Sequence, residues 1–162
     1  MTEVDWLGWA TFGFAATVVL TAVLVASQLA GLTRMDIPMM LGTVFTEDPD
    51  KARVLGSVMH LINGQGFALI YASAFAAIGQ ASWWLGATFG GLHGFAALTL
   101  IVPQLPGVHP RMASERSAPS NRNVLEPPGL FALNYGRQTA LVTLIAHVLY
   151  GAILGIFLSP RA

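Results

Sequence analysis

Apolar residues run almost unbroken through three stretches of the chain, with no Asp, Glu, Lys or Arg between Asp5 and Arg34, between Arg53 and Arg111, or between Arg137 and Arg161. A helix needs about 20 apolar residues to cross bilayer hydrocarbon at a rise of 1.5 Å each, so the outer stretches hold one crossing apiece and the middle one holds two. The middle stretch must fold back on itself, and Gly79-Gln80-Ala81-Ser82 supplies the turn. The pattern predicts an all-α polytopic membrane protein, a four-transmembrane-helix bundle, with helices near 9–30, 54–78, 83–102 and 139–158 forming a single transmembrane domain over 1–162. Glu3 and Asp5 stand where a secretory signal would be basic, so the first helix is expected to stay in the mature protein.

Two longer connections remain, near 32–53 and 103–137. The first joins the apolar run Met35-Asp36-Ile37-Pro38-Met39-Met40 to the acidic run Glu47-Asp48-Pro49-Asp50, and Pro38 stops the first helix from continuing through it. Its early part is too apolar for a free linker and is expected to lie along the interface or dip back into the bundle. The second carries prolines at 103, 106, 110, 119, 127 and 128, which exclude one helix. Its polar middle, Ser114 to Asn123, reads as flexible, while Pro127 to Gly136 is apolar enough to pack on the end of the bundle.

Composition agrees with this pattern: 54% of the 162 residues are hydrophobic and 10% are charged, against about 25% charged in a soluble domain, so lipid must cover most of the surface. Charge placement adds a direction. Arg34, Lys51, Arg53, Arg111, Arg116, Arg122 and Arg137 flank the two long connections, and Arg161 alone lies on the other side. Basic residues near helix ends favour the cytoplasm, so both loops are expected to be cytoplasmic and both termini outside. Trp6, Trp9, Trp83 and Trp84 fall at the expected outer boundary, where indole rings settle among head groups.

The 8 basic and 8 acidic residues balance, so no overall field draws in nucleic acid; the expected partners are the lipid bilayer and other membrane subunits or further copies of the chain. Cysteine is absent, which removes disulfides and thiolate sites. No phosphate-cradling loop, nucleophile elbow or pair of intramembrane carboxylates is present, which argues against an ATPase or a hydrolase and makes a non-enzymatic role the more expected one.

Membrane helices associate through small residues and a few polar contacts. Gly86, Gly90 and Gly94 recur every fourth position in the third helix, and Thr139, Thr143, His147, Gly151 and Gly155 do so in the fourth. The second helix gathers Ser57, His60, Gly64 and Tyr71, with Asn63 at the edge, whereas the first shows Thr and Ala without a sharp polar stripe.

Ionisable groups inside a span are costly and often mark function. His60, His93 and His147 fall roughly 9, 14 and 12 Å from the expected cytoplasmic boundary, in one slab of the membrane. Neutral imidazoles bind metals, and opposed ones can hold a haem iron. Met59 beside His60, with Met35, Met39 and Met40 in the first loop, adds thioethers suited to Cu(I). The structural alternative is hydrogen-bonded packing. Tyr150 is a candidate partner for His147; Asp36 is expected at the surface, or near the cytoplasmic mouth neutralising Arg34 or supporting a histidine; and His109 is expected to be solvated.

Met35 to Gly42, Gly91-Leu92-His93-Gly94 and His147-Val148-Leu149-Tyr150-Gly151, with its His-x-x-Tyr-Gly, resemble small bacterial and archaeal four-helix membrane proteins of unknown function. The resemblance implies a bundle and an inner-membrane address and brings no activity. Three functions stay open: a non-catalytic accessory or scaffold subunit, which the glycine stripes favour; a haem- or metal-binding protein using copper, zinc or iron; and a small transporter or proton-conducting unit.

Overall fold

The computed structural model describes residues 3–114 and 125–158. Its elements in chain order are α1 (Trp6–Leu29), a short α2 (Ile37–Gly42), α3 (Pro49–Ile78), α4 (Trp83–Ala96), a π-helical turn (Ala97–Ile101), a 3-10 turn (Val102–Gln104), α5 (Leu105–Val108), a second 3-10 turn (Leu130–Tyr135) and α6 (Thr139–Phe157). No strand forms among the described residues, which hold one isolated bridge, Met112 to Leu125. Four helices are long and apolar enough to cross a membrane, namely Trp6–Leu29, Pro49–Ile78, Trp83–Val108 and Thr139–Phe157. Large apolar side chains such as Phe14, Ile62, Ile70, Leu92 and Leu141 stand exposed along them, the surface that hydrocarbon accepts and water does not. The chain is an integral membrane helical bundle.

Helix ends follow local chemistry. The carboxylates of Asp5, Asp36 and Asp48 accept the free N–H groups of Gly8, Met39 and Lys51 at the starts of α1, α2 and α3. Asp48 followed by Pro49 starts α3 at 49 instead of near 54, because proline at the first helical position is already set for the helix. Gly79, at φ +75, ends it in the left-handed conformation that glycine adopts freely. Beyond Ala96 the helix widens: Pro103 has no N–H to give and its ring would meet the carbonyl four residues back, at Thr99, so the backbone loosens into the π turn before the proline.

The first loop does dip back, as α2, and packs along α3 at two glycines. A Cβ on Gly42 would lie 1.7 Å from the Ala52 carbonyl oxygen, and one on Gly56 would lie 1.6 Å from that of Pro38. Helices α4 and α6 meet the same way, Gly86 facing Gly151, Gly90 facing the His147 carbonyl and Gly155 facing that of Ser82. Thr17 of α1 packs on Gly64 of α3, and Phe12 of α1 stacks on Phe157 of α6 at 4.6 Å. The bundle is thus an open chain of neighbours, α3 to α1 to α6 to α4. Although α3 and α4 are joined by a tight turn, their backbones barely approach one another. Phe67, Tyr71 and Phe75 of α3 meet Phe89 and His93 of α4 across the gap.

Several polar residues differ from expectation. Asp36 pairs with Arg53 at 3.0 Å, in addition to starting α2, while Arg34 pairs with Glu126 at 2.9 Å; Asp36 therefore serves the joint between α2 and α3. Trp9 turns its indole N–H onto the Gln65 carbonyl at 2.9 Å, a helix–helix contact, while Trp6, Trp83 and Trp84 are exposed. Ala132 and Tyr135 carry the segment after Pro127 into a core with Met35, Met40, Leu98 and Met112. Arg116, Arg122, Arg161 and most of the polar stretch from Ser114 to Asn123 lie outside the described residues.

Candidate functional site

Three helices bring one histidine each to a chamber of about 180 Å³ near the α2 end: His60 from α3, His93 from α4 and His147 from α6. Met35, Ile37, Met40 and Leu41, on and just before α2, close it from below; Leu98, Ile101, Val102 and Leu105 close it beyond α4. Asn63, Thr143 and Tyr150 complete its polar lining. A larger cleft of about 740 Å³, beside Pro103, Pro106 and Pro127, is lined by no ionisable side chain among the described residues, whereas the chamber gathers three histidines and is the candidate site.

Hydrogen bonds fix two imidazoles. His147 Nδ1 lies 2.8 Å from the Thr143 carbonyl oxygen, which can only accept, so Nδ1 carries the proton. His60 Nδ1 lies 2.9 Å from Thr21 Oγ1. The Thr21 hydroxyl spends its proton on the Thr17 carbonyl at 2.7 Å, so it accepts from His60 and again Nδ1 is the donor. Both neutral rings therefore leave Nε2 as a lone pair, with no hydrogen-bond partner among the described residues. Gly64 makes this possible by letting α1 close on α3, since any Cβ there would meet the Thr17 side chain. The Thr143 hydroxyl is buried with no partner, so the chamber wall also holds an unsatisfied polar atom. His93 is held more loosely. Its ring lies against Phe67 at 4.0 Å and edge-on to His147 at 4.8 Å, and Tyr71 Oη stands 3.4 Å from its Nδ1.

The structure brings together His60, His93, His147, Asn63 and Tyr150, and it does not bring Met59, which is off the lining. A residue next to His60 in a helix is turned about 100° away; the thioethers that reach the chamber are Met35 and Met40. Tyr150 is not the partner of His147: its hydroxyl donates to the Gly64 carbonyl at 2.6 Å, which ties α6 to α3. Sequence reasoning missed Thr21, whose signal was the i, i+4 series Gly13, Thr17, Thr21 on α1.

Among the described residues no three of His, Cys, Asp and Glu are placed to hold one metal ion. The pair His93 and His147 does not suit haem. Two axial imidazoles at about 2.0 Å from an iron would have ring centres roughly 6 Å apart across a flat macrocycle, whereas His93 and His147 are 4.8 Å apart and edge to face.

Just outside the membrane-spanning helices, His109 is buried, in contrast to its expected solvation. Its Nε2 donates to the Met40 carbonyl at 2.9 Å and its Nδ1 accepts the Arg111 N–H at 3.1 Å, while the Arg111 guanidinium donates to the carbonyls of Thr43 and Val44. These bonds latch the segment after α5 onto α2. Burial, and to a lesser degree the Arg111 charge, hold His109 below its ordinary value of 6.5, although its bond to Met40 opposes the shift. A histidine with a depressed folded value favours the folded state fully above its unfolded value, and loses that advantage as pH falls through the folded one. The latch is therefore expected to loosen below about pH 6.5. The protection of the α2 amides, taken as observed exchange relative to the intrinsic rate at each pH, should fall between pH 7.5 and pH 5, and a His109→Gln chain should show no such fall.

Comparison of the chain with protein-family models, with curated proteins and with solved structures finds no match.

Proposed function

We propose that this bundle is a membrane-embedded binding protein, and that the histidine chamber is its site for a small molecule bearing hydrogen-bond donors. The observation that carries this reading is the pair of imidazoles, His60 and His147, anchored through Nδ1 and left with free Nε2 lone pairs on a chamber that also holds the unpartnered Thr143 hydroxyl. A buried polar atom without a partner is costly, and the Thr143 hydroxyl is one on this chamber, so a ligand that bonds it and the two free imidazole nitrogens is favoured. The role is non-catalytic, which leaves room for an accessory place beside other membrane subunits. The five described basic residues, Arg34, Lys51, Arg53, Arg111 and Arg137, all belong to the loops and helix ends around α2, which supports a cytoplasmic α2 end.

A second reading has its own observation. Met35 and Met40 line the same chamber, and thioethers with imidazoles favour Cu(I); each histidine already gives its other nitrogen to a carbonyl or hydroxyl, as metal-bound histidines do.

One preparation tests both. Protein purified in mild detergent is extracted for mass spectrometry of small molecules and digested for elemental analysis, in parallel with a chain carrying His60→Leu and His147→Leu. A compound enriched with the parent and lost from the double variant is the expected result. Stoichiometric copper lost in the same way would favour the second reading. An identical profile in both preparations would overturn the site.

A further inference from the structure

The chamber is not sealed on every side. Phe67 and His93, which line it, also line an apolar groove of about 360 Å³ on the outer surface between α3 and α4, with Ile70, Tyr71, Leu92 and Ala96. Among the described residues, this seam lacks the close backbone packing that joins α4 to α6 and α1 to its neighbours. Asn63 lies one turn from Phe67 on the same flank of α3, exposed and with no hydrogen-bond partner among the described residues, and it also borders the chamber. Ile101, across the seam, likewise borders the chamber and is half exposed. A bare amide at a lipid-facing seam is expensive unless something polar passes or rests there.

We infer that the α3–α4 seam is a lateral portal from the bilayer, and that its occupant is a lipid-soluble molecule with a hydroxyl-bearing head in the chamber and one hydrocarbon tail in the groove. The inference rests on the chamber reading and extends it. The head is assigned by hydrogen-bond polarity. Two Nε2 lone pairs accept and do not donate, so the head must bring O–H groups, as a phenol, a hydroquinone or an alcohol does; an ether or a quinone carbonyl would leave both nitrogens unsatisfied. The tail is assigned by the groove, whose lining is aromatic and aliphatic apart from the edges of His93 and Tyr71. His93 stands where the two spaces join, held by ring contacts and one long hydrogen bond, so a rotamer change there can admit the head.

The test uses the full chain in lipid nanodiscs and four probes: a prenylated hydroquinone, its dimethyl ether, the tailless hydroquinone and a prenol of the same tail length. The hydroquinone should bind at least about tenfold tighter than its ether, the equivalent of about 1.4 kcal/mol. The prenol arm separates an aromatic head from a plain alcohol, and binding of either supports the hydroxyl assignment. Ala74→Trp with Ala96→Trp fills the groove without touching the chamber, and should weaken the tailed probes about tenfold while leaving the tailless one unchanged. A diazirine on the tail should label residues between Phe67 and Ala74 or between Phe89 and Ala96. Equal binding of tailed and tailless probes, or labelling confined to the α1 and α6 surfaces, would overturn the portal while the chamber stood. Loss of no probe on His60→Leu with His147→Leu would overturn the chamber itself.

Discussion

Replacing Gly86 by Leu is expected to take the bundle apart at the α4–α6 seam. A Cβ at Gly86 would lie 2.0 Å from the Gly151 carbonyl oxygen, and one at Gly151 would lie 2.0 Å from that of Gly86, so both contacts are with backbone that no rotamer change can move. Lipid tails are as apolar as leucine, so α4 gains nothing by staying near α6 once close contact is lost. Helix α4 also has no tight backbone partner in α3 to fall back on. Overpacking a well-packed interior typically costs about 1–3 kcal/mol, and a clash between two backbones belongs at or beyond the top of that range. Gly66 provides the control, since a Cβ there would meet nothing within 4 Å. Gly66→Ala should leave stability unchanged or raise it by about 0.5–1 kcal/mol, as alanine does in a helix interior. Thermal unfolding in detergent, followed by circular dichroism, compares the two. A Gly86→Leu chain melting with the parent would refute the close backbone seam.

The spans, and the stripe Gly86, Gly90 and Gly94, were legible because membranes impose a simple rule: charge is excluded over the length of a crossing, and small residues recur where helices touch. Which helices touch was not legible. The tyrosine and phenylalanine spacing of α3 reads equally well as packing against α1, α4 or α6, and only the assembled bundle shows that Phe67, Tyr71 and Phe75 bridge an open seam. Helix α2 escaped because six residues carry too little periodicity, and the π turn because its cause, Pro103, lies beyond it. At the site, depth along the helices placed the three histidines together, since it depends on sequence position alone. Their tautomers depend on Thr21 and Thr143, whose hydroxyl and carbonyl reach them through tertiary contact or the local turn. Met59 illustrates the opposite error: neighbours in sequence are not neighbours on a helix face.

Gly56→Leu is expected to produce a different failure, in which the four spans survive and the chamber loses its floor. The Cβ at Gly56 would lie 1.6 Å from the Pro38 carbonyl oxygen and 2.8 Å from the Gly42 nitrogen, so the atoms displaced belong to α2 alone. The seams of α1 with α3 and α6, and of α4 with α6, lie elsewhere and should keep their packing. What moves is the element that carries Ile37, Met40 and Leu41 beneath the histidines, along with the Met40 carbonyl that holds His109. Opening the floor admits water to a chamber that is otherwise reached from lipid. The chain has no native cysteine, so a single Thr143→Cys reports on the chamber without background. With Gly56 intact, that thiol should react slowly with a water-soluble maleimide. With Gly56→Leu added it should react at least about tenfold faster, the factor that an opening easier by about 1.4 kcal/mol carries, while the melting temperature stays close to that of the parent. Equal reactivity in both chains would mean that α2 does not close the chamber. A large fall in melting temperature would mean that α2 is a structural member of the bundle and more than a floor laid against it.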